Sequence, residues 1–328
     1  MEKLDMKNPL VSVCIPAYNV ENYVEEALKS VLEQTYSNIE VLVVNDGSID
    51  KTKSILDSYN DSRLKVFHCL NRGAAASRNY ALNQSKGKLI KFFDADDIMS
   101  QNMIEKQVEV LQGKNRCIAS AEWGRFYDDK LETFKLNPER VWKNMHSTDW
   151  VVNSLKEGFN MMQPGIFLIP KRIIDQMGGW NEKLSLIDDF EYMLRILLNA
   201  EEIHFTSGAR LFYRSGISES LSRQKSRKAM ESAYLSTELG CQYILEKEDS
   251  QRTRKVCANI WQQRVFEFYP AFKDLVMKAE KHITNLDNPT VSLPAGPGLS
   301  LLSKLIGWKA AKTIHHFYYQ KGFRPLFK

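Results

Sequence analysis

The sequence predicts an α/β protein with a mostly parallel, Rossmann-like sheet flanked by helices. Four short apolar runs carry this prediction, and they lie at about 10–15, 39–44, 64–69 and 88–93. Strands that are apolar throughout are typical of parallel sheets, because helices cover both faces. Helical spacing follows each of the first three runs, and strands that alternate with helices indicate βαβ units.

The segments between the runs predict the connecting helices. Apolar residues recur at helical spacing from Val24 to Leu32, and either Asn19 or Asn22 is suited to cap this helix. The next two helices are expected from about 51 to 59 and from 73 to 84. The order is therefore strand, helix, strand, helix, strand, helix, strand.

Polar residues follow each predicted strand. The four groups are Pro16-Ala17-Tyr18-Asn19, Asn45-Asp46-Gly47-Ser48, Asn71-Arg72-Gly73 with Arg78 and Asn79, and Asp94-Ala95-Asp96-Asp97. Because the carboxyl ends of parallel strands share one edge, these loops should line one crevice. A nucleotide would fit there, since Tyr18 offers an aromatic face, Asp46 an acceptor for a base N–H, and Arg78 a cation for phosphate.

The acidic residues Asp94, Asp96 and Asp97 after the fourth strand indicate a cation site. Neighbouring carboxylates resist joint ionisation unless a positive charge offsets them. One or two carboxylates together with substrate phosphates usually hold Mg²⁺ or Mn²⁺ in nucleotide enzymes. Short acidic runs are also common in solvated turns, so the cluster predicts a metal only in combination with the other loops.

In this order, the four motifs resemble those of the family 2 glycosyltransferases, which have the GT-A fold and use nucleotide-sugar donors. The resemblance covers about residues 10–220. The donor-binding residues that it implies are Pro16, Ala17, Tyr18, Asn19, Asp46, Arg78, Asp94 and Ala95. It also implies that Asp96 and Asp94 are ligands of Mn²⁺ or Mg²⁺.

The resemblance gives several of these residues a role. Asp46 would bond the edge of the base, usually uracil, Arg78 would face the diphosphate, and Asp94 would hold the ribose or the donor sugar. Each also has a purely structural interpretation. Asp46 suits a tight turn, Arg78 can lie on a helix surface, and Tyr18 can pack at the end of a strand.

The candidate for the catalytic base is the acidic pair Asp188-Asp189, at the start of a predicted helix. Acidic residues at a helix N-terminus are favourable without any chemistry. However, this pair and the segment 178–182 resemble elements of the family, with Asp188 in place of the usual Glu. The resemblance implies that Asp189 is the general base of a single inverting displacement. Burial and the charge of Asp188 would raise its pKa toward neutrality.

The resemblance therefore implies an inverting, non-processive glycosyltransferase, although the sequence itself leaves a retaining route open. It would move a sugar from a nucleotide-sugar, usually a UDP-sugar, to a hydroxyl of a glycan or lipid-linked acceptor in surface polysaccharide or glycoconjugate synthesis. The Gln-X-X-Arg-Trp element of processive relatives is missing. The alternatives are a sugar nucleotidyltransferase and a catalytically inactive glycan-binding GT-A protein. A dehydrogenase is disfavoured because no Gly-X-Gly-X-X-Gly follows the first strand.

Several single residues keep two interpretations. Many relatives place a metal-binding His after the last catalytic strand, and segment 211–218 of this chain has none. Water or donor phosphate would fill that place in the site, or Arg214 would bind phosphate instead. His204 is expected to be a packed structural residue. Trp123, Trp142 and Trp150 either stack on acceptor sugars or pack in the core.

Residues 1–223 are expected to form the catalytic domain, 224–286 a helical extension, and 287–328 a linker and a basic amphipathic helix. No acidic residue follows Asp287, while apolar residues recur at helical spacing from Leu299 to Phe317. Such a helix either contacts an anionic membrane or docks on the core of its own protein. Peripheral membrane contact through 299–328 is therefore one prediction.

The composition of the chain limits which partners and which cellular location are expected. The net charge of +5 comes without a nucleic-acid-binding motif, so no nucleic-acid partner is expected. The five cysteines lack a Cys-X-X-Cys pattern, which favours reduced thiols. No secretory signal and no apolar run of about 18 residues is present. These features predict a cytoplasmic protein with peripheral contact at the inner face of the membrane.

Overall fold

The computed structural model describes residues 8–217 and 225–320. Within these residues the chain separates into two compact units. One contains the chain up to Asn153 and again from Met161 through the last strand, and the other contains Ser154–Asn160 and the chain from Lys225 onward. The predicted boundary between 223 and 224 lies outside the described residues, so the division into three parts stays a prediction.

The first sheet belongs to the first unit. Its strands are β1 (Val11–Ala17), β2 (Ile39–Asp46), β3 (Leu64–Cys69), β4 (Leu89–Phe92) and β9 (Ile169–Pro170), in the order β3-β2-β1-β4-β9. The first four are parallel, and β9 is antiparallel to β4. Helices α1 (Val24–Leu32), α2 (Thr52–Asp57) and α3 (Ala74–Gln84) connect them. The predicted strand and helix order is confirmed.

Burial explains why these strands read as apolar. Strands β2 and β4 are buried at every position and β1 at all but one, whereas β3 at the edge of the sheet is half exposed. One detail of the prediction was wrong. Helix α1 follows Tyr23 without a side-chain cap, and Asn19 instead adopts φ 51° and accepts a hydrogen bond from the Ile49 N–H.

A second sheet, which the sequence did not predict, completes this unit. Its strands are β5 (Ile98–Met99), β6 (Ile118–Tyr127), β7 (Lys130–Leu136), β8 (Met145–His146) and β10 (Glu202–Ser215). The order is β5-β10-β6-β7, with β8 also paired to β10. Strands β6 and β10 are parallel. The helices here are α4 (Met103–Leu111), α5 (Ser147–Ser154), α6 (Lys171–Met177) and α7 (Asp188–Leu197).

The second unit contains the helices of the carboxyl-terminal part. These are α8 (Arg227–Lys247), α9 (Gln251–Phe268), α10 (Lys273–Thr284), α11 (Pro297–Ile306) and α12 (Trp308–Gln320). The sequence predicted one continuous helix from about residue 299, but Gly307, at φ 81°, separates two. This conformation suits glycine and ends an α-helix. Within the described residues, no helix combines the length and the apolar character needed to cross a membrane.

Candidate active site

The loops after β1 and β2 are tied to each other at the carboxyl edge of the first sheet. The Asn19 N–H donates to Ser48 Oγ at 3.0 Å, and Asn19 Oδ1 accepts from the Ile49 N–H at 2.9 Å. Tyr18, beside Asn19, is 46% exposed, whereas Ala17 is buried at 1%. Of the donor-binding residues predicted on the loop after β1, Tyr18 therefore has an aromatic ring that is open to solvent.

Asp46, the last residue of β2, fixes the loop after β3. Its two carboxylate oxygens accept the N–H groups of Arg72 and Gly73 at 2.9 and 2.8 Å. The side chain thus has a structural role in the fold. Each carboxylate oxygen has two lone pairs. Each oxygen therefore keeps a second lone pair, although only 3% of the residue is exposed.

Arg78 joins two parts of the site that are far apart in sequence. Its Nη2 donates to Asp94 Oδ1 at 2.7 Å, and its Nη1 donates to Asp188 Oδ2 at 3.1 Å. The guanidinium also lies over the ring of Trp180, 4.5 Å from the centroid, and only 8% of the side chain is exposed. The sequence led us to expect Arg78 against a diphosphate. In the structure it bridges the loop after β4 and the start of α7.

The loop after β4 is held by Gln163, a residue that no sequence motif pointed to. Gln163 Nε2 donates to Asp94 Oδ2 at 3.1 Å and to Asp97 Oδ2 at 2.6 Å. Its Oε1 accepts from the Gly165 N–H at 2.8 Å, which fixes the orientation of the amide. Asp97 is also bound by the N–H of Arg214 at 2.9 Å. Two of the three acidic residues therefore have fixed protein partners.

Asp96 is the exception in this cluster. Within the described residues, no other residue donates a hydrogen bond to its carboxylate. Burial, and next the negative charge of Asp94, raise the pKa of Asp96 to about 6. The negative charge of Asp96 is incompletely offset by the protein. A divalent cation therefore fits this carboxylate.

Asp94 and Asp96 would form an open metal site, in which ligands from outside the protein complete the coordination. The described residues contain one set of three His, Cys, Asp or Glu side chains with ligand atoms within 4.8 Å of one another, and it lies elsewhere, at Cys117, Glu202 and His204. Asp94 and Asp96 thus do not form a closed cage with a third carboxylate. Such a pair suits Mg²⁺ or Mn²⁺, which commonly retain water and phosphate oxygens as ligands.

Arg214 supports the turn that carries Asp96. Its Nε donates to the Asp96 carbonyl oxygen at 2.7 Å, and its two terminal nitrogens pair with Asp129 and Glu26. Only 2% of the side chain is exposed. A guanidinium whose three nitrogens all have protein partners is poorly placed to bind phosphate, which was one of the alternatives left open by the sequence.

Asp188 and Asp189 form the first turn of α7. The turn follows Ile187, which adopts the left-handed conformation at φ 51° and ψ 34°. Burial, and next the charge of Asp188, raise the pKa of Asp189 to about 7, while Arg78 acts in the opposite direction. Burial also raises the pKa of Asp188 despite its ion pair with Arg78. Asp189 is therefore a carboxyl that can accept a proton near neutral pH.

The segment before α7 is tied to α3 by Asn79. Asn79 Oδ1 accepts the Trp180 N–H at 2.7 Å, and its Nδ2 donates to the Trp180 carbonyl and to Glu182. Glu182 also accepts from Arg72 at 3.0 Å. These contacts tie the loop after β3 and helix α3 to a segment about one hundred residues later in the chain.

A model of the family described as "Glycosyl transferase family 2" matches residues 12–178. The chain belongs to glycosyltransferase family 2. This match confirms the family that the motifs predicted. The family is one of transferases, the enzyme class that the sequence predicted.

Curated relatives agree with this assignment. A glycosyltransferase of Rickettsia felis is 34% identical over 211 residues, which cover 62% of this chain and 33% of the relative. Glycosyltransferase GlyG of Streptococcus pneumoniae is 31% identical over 221 residues, which cover 62% of this chain and 70% of GlyG. The chain thus spans about a third of the length of the Rickettsia relative.

Solved structures share the fold. S. aureus TarS, residues 1–349, in complex with UDP-GlcNAc matches with a TM-score of 0.70 at 19% identity, over 97% of this chain and 93% of that chain. The same protein in complex with UDP matches with a TM-score of 0.64 at 17% identity. The likeness confirms the predicted GT-A fold with its carboxyl-terminal helices.

Proposed function

We propose that this family member is an inverting, non-processive glycosyltransferase that uses a UDP-sugar. The observation that carries the proposal is the meeting of two acidic groups at one edge of the sheet. Arg78 bridges Asp94, on the loop expected to hold the donor, and Asp188, beside the candidate base. Asp189, with a pKa of about 7, lies next in sequence. The residues proposed to bind the donor and to accept the proton would thus lie close to one guanidinium, that of Arg78.

The uridine nucleotide is supported by chemistry at the edge and by a structural neighbour. Tyr18 is open for stacking on a base, and Asp46 retains lone pairs that can accept a base N–H. Uracil offers such a donor. TarS, which is similar in fold, is known in complex with UDP-GlcNAc and with UDP.

Asp96 and Asp94 would hold Mn²⁺ or Mg²⁺ together with oxygens of the donor diphosphate. A bound divalent cation would offset negative charge on the departing nucleoside diphosphate. Arg214 and Gln163 serve this site by fixing the turn and the two flanking carboxylates. Asp96 is thereby left to face a ligand.

The reaction would be a single displacement. Asp189 takes the proton from an acceptor hydroxyl, and the hydroxyl oxygen forms a bond to the anomeric carbon of the sugar. The bond from that carbon to the diphosphate oxygen breaks on the opposite face, which inverts the configuration. A retaining route through a glycosyl-enzyme would require a second carboxylate acting as nucleophile.

The acceptor is proposed to be a glycan or a lipid-linked saccharide in polysaccharide or glycoconjugate synthesis. Two of the tryptophans considered for sugar stacking are buried, Trp123 at 3% and Trp150 at 1% exposure, so they pack in the core. Trp142 stacks on Phe205. These contacts direct the search for acceptor contacts to residues other than the tryptophans.

A donor screen tests the proposed function. The full chain is incubated with UDP-, GDP- and dTDP-sugars, with Mn²⁺, Mg²⁺ or EDTA, and the released products are identified. Release of UDP that requires a divalent cation, with an inverted anomeric centre in the product, is expected. Release of pyrophosphate would indicate a nucleotidyltransferase instead. Donor binding without turnover across candidate acceptors would favour an inactive glycan-binding protein.

We further propose peripheral contact with an anionic membrane through 299–328. Helix α11 has no buried residue, and Leu301, Leu305 and Ile306 are 62, 73 and 46% exposed. On α12, Ile314, Phe317 and Tyr318 are 40, 55 and 56% exposed. We call these six side chains the apolar surface of α11 and α12.

Docking onto the protein's own core accounts for only one side of α12. Trp308 packs edge to face against Phe266 and Tyr269, and Ala311 is fully buried. Tyr269 also bonds Thr313 at 2.9 Å. The exposed side chain of Ile314 on α12, and the whole of α11, are not accounted for in this way.

Charge favours an anionic lipid surface as the occupant. No acidic residue follows Asp287, and Lys304 lies within α11. Lys321, Arg324 and Lys328 add positive charge in the sequence, although they lie outside the described residues. Each basic residue near an anionic surface contributes on the order of 1 kcal/mol. The five free cysteines support the inner, reducing side of the membrane.

A further inference from the structure

Three potential metal ligands meet at the amino-terminal ends of β6 and β10. Ile118 pairs with Ile203 in this parallel ladder, so Cys117 lies opposite Glu202. Glu202 and His204 are two residues apart on one strand and therefore point to the same face. The ligand atoms of Cys117, Glu202 and His204 all lie within 4.8 Å of one another.

A fourth potential ligand lies in the same row. Strand β8 pairs with the other side of β10, and His146 is directly opposite Glu202. Directly opposed residues in an antiparallel pair have side chains on the same face, about 5 Å apart at Cβ. Cys117, Glu202 and His146 therefore lie on three neighbouring strands at one level of the sheet. The His146 side chain is exposed and has room to change rotamer.

The donor set suits zinc better than magnesium or manganese. A thiolate, an imidazole and a carboxylate are the ligands that Zn²⁺ takes in proteins, at about 2.0–2.3 Å and usually in a tetrahedron. Ligand atoms on such a tetrahedron are about 3–4 Å apart. Hard cations prefer oxygen-only sites. The side chains already lie close to the required spacing, with His204 Nε2 and Glu202 Oε2 at 2.8 Å.

We propose that Cys117, Glu202 and His204 bind one Zn²⁺ ion, with His146 as the fourth ligand. The site is separate from the candidate active site. It lies at the start of β10, whereas Arg214, which contacts Asp97, lies near the end of that 14-residue strand. Because the register with β6 shifts between Thr206 and Arg210, the span from Glu202 to Arg214 matches that from Cys117 to Phe126. At about 3.3 Å per residue, the two sites are about 30 Å apart.

Binding requires two proton movements. The Cys117 thiol gives its proton to solvent and binds as thiolate, although burial, and then nearby acidic charge, raise the pKa of the free thiol. Lys114 Nζ lies 3.5 Å from His204 Nδ1, which therefore accepts while Nε2–H donates to Glu202. Zinc on Nε2 moves the imidazole proton to Nδ1. Lys114, which is exposed, must then turn away.

Metal binding by the full chain tests this proposal without any activity assay. Wild-type protein, reduced and stripped with chelator, is titrated with Zn²⁺ and separately with Co²⁺. One Zn²⁺ per chain and a thiolate-to-cobalt charge-transfer absorption are expected. This absorption is specific for a cysteine ligand, so it distinguishes the site from the carboxylates at Asp96. A wild-type protein without this absorption would overturn the proposal.

The variants assign the ligands. Cys117→Ser and His204→Gln should each lower Zn²⁺ affinity by more than tenfold, while Cys69→Ser, a half-buried thiol elsewhere in the first unit, should not. His146→Ala should lower it about tenfold. If His146→Ala binds Zn²⁺ as tightly as wild type, the fourth ligand is a water molecule, and the assignment of His146 is wrong. Lys114→Gln should tighten binding, because an amide oxygen can accept the Nδ1 proton.

Thermal unfolding keeps the test decisive if a variant is destabilised. Zn²⁺ should raise the Tm of wild type and of Cys69→Ser, because it binds the folded chain across three neighbouring strands. The same addition should leave the Tm of Cys117→Ser unchanged, whatever its starting value. An equal rise in Cys117→Ser and wild type would show that zinc stabilises the chain elsewhere and would contradict the assignment.

Discussion

The candidate active site and the apolar surface of α11 and α12 depart from the usual pattern of burial in opposite ways. The first unit gathers Asp94, Asp96, Asp97, Asp188 and Asp189 at one partly buried edge, with the buried Arg78 among them. The second unit leaves six large apolar side chains exposed on two adjacent helices. Charged residues are seldom buried, and exposed apolar patches mark interaction sites.

The clustered carboxylates and the exposed apolar side chains are each unfavourable for the isolated chain. Each therefore indicates the kind of ligand that would stabilise it. Uncompensated carboxylates are stabilised by a cation, and exposed apolar groups are stabilised by leaving water. The first unit should therefore respond to divalent metal and donor. The second should respond to a lipid surface and to ionic strength. Changes in one unit should leave the response of the other intact.

The largest expected effect is that of Asp189→Asn. The substitution keeps the size of the side chain but removes the acceptor for the hydroxyl proton, so kcat should fall by roughly 10² to 10⁴. Donor affinity should stay near that of wild type, as measured by titration with the nucleoside diphosphate. Asp175→Asn, which changes an exposed side chain on α6, is the matched control. Near-normal turnover would show that Asp189 is not the base, and Asp188 would be the next residue to test.

Asp96→Ala should abolish the metal-assisted part of donor binding. Its carboxylate receives no hydrogen bond from another described residue, so metal and donor would lose a ligand without a compensating loss in the fold. Calorimetric titration of UDP with and without Mn²⁺ measures this. A folded mutant with the same gain in affinity on adding Mn²⁺ as wild type would refute the metal assignment.

Replacing Leu301, Leu305 and Ile306 together by Gln should weaken binding to anionic liposomes by more than tenfold. Burial of each such side chain contributes about 1.5–3 kcal/mol when complete. Met277→Gln, which changes a 65% exposed side chain on α10, is the control. Sedimentation with liposomes should also weaken as salt rises. Wild-type sedimentation by the triple variant, or wild-type dimerisation through this surface, would contradict the lipid assignment.

The pH dependence of kcat gives a smaller effect. Asp189 acts as a base when deprotonated, so kcat should rise with pH through about 7 and then level. Arg78→Met removes a cation that lowers the pKa of Asp189, so the rise should move to higher pH. Arg195→Met breaks the ion pair with Glu191 in the same helix as Asp189. It should leave the midpoint of the rise of kcat with pH unchanged. A pH-independent kcat would exclude this base.

The contribution of Asp189 to the free energy of unfolding should fall as pH rises, whereas kcat rises. A carboxyl with a raised pKa in the folded state destabilises the fold as pH rises from its unfolded value, about 3.9, through the folded value. Asp189→Asn should therefore have the higher free energy of unfolding above about pH 7, and the difference should vanish below about pH 4. Urea unfolding at both pH values measures it. Equal stability throughout would argue against a buried charge at Asp189.

The first sheet was predictable because local signals and tertiary structure agree there. Strand β3 occupies 64–69, as its apolar run predicts, and β1, β2 and β4 differ by two residues or fewer at each end. The polar groups that follow the strands were predictable for the same reason. A parallel sheet brings strand ends together whatever their distance in sequence.

The second sheet and the supports of the site were not predictable. Strand β6 pairs with β10 some eighty residues later, and no local pattern encodes such a partner. Gln163 contacts Asp94 and Asp97 through the fold, in a segment without a motif. The break at Gly307 was overlooked because the apolar spacing continues across it. In that case, one glycine outweighs a regular pattern.

The backbone at Ile187 has a consequence for how this protein can evolve. A β-branched residue in the left-handed conformation, at φ 51°, costs on the order of 1–2 kcal/mol. Glycine or asparagine there would relax the backbone, so Ile187→Asn should raise stability while loosening the turn that presents Asp188 and Asp189. A population selected only for heat resistance would be expected to fix such a change. One selected for turnover would be expected to keep the isoleucine.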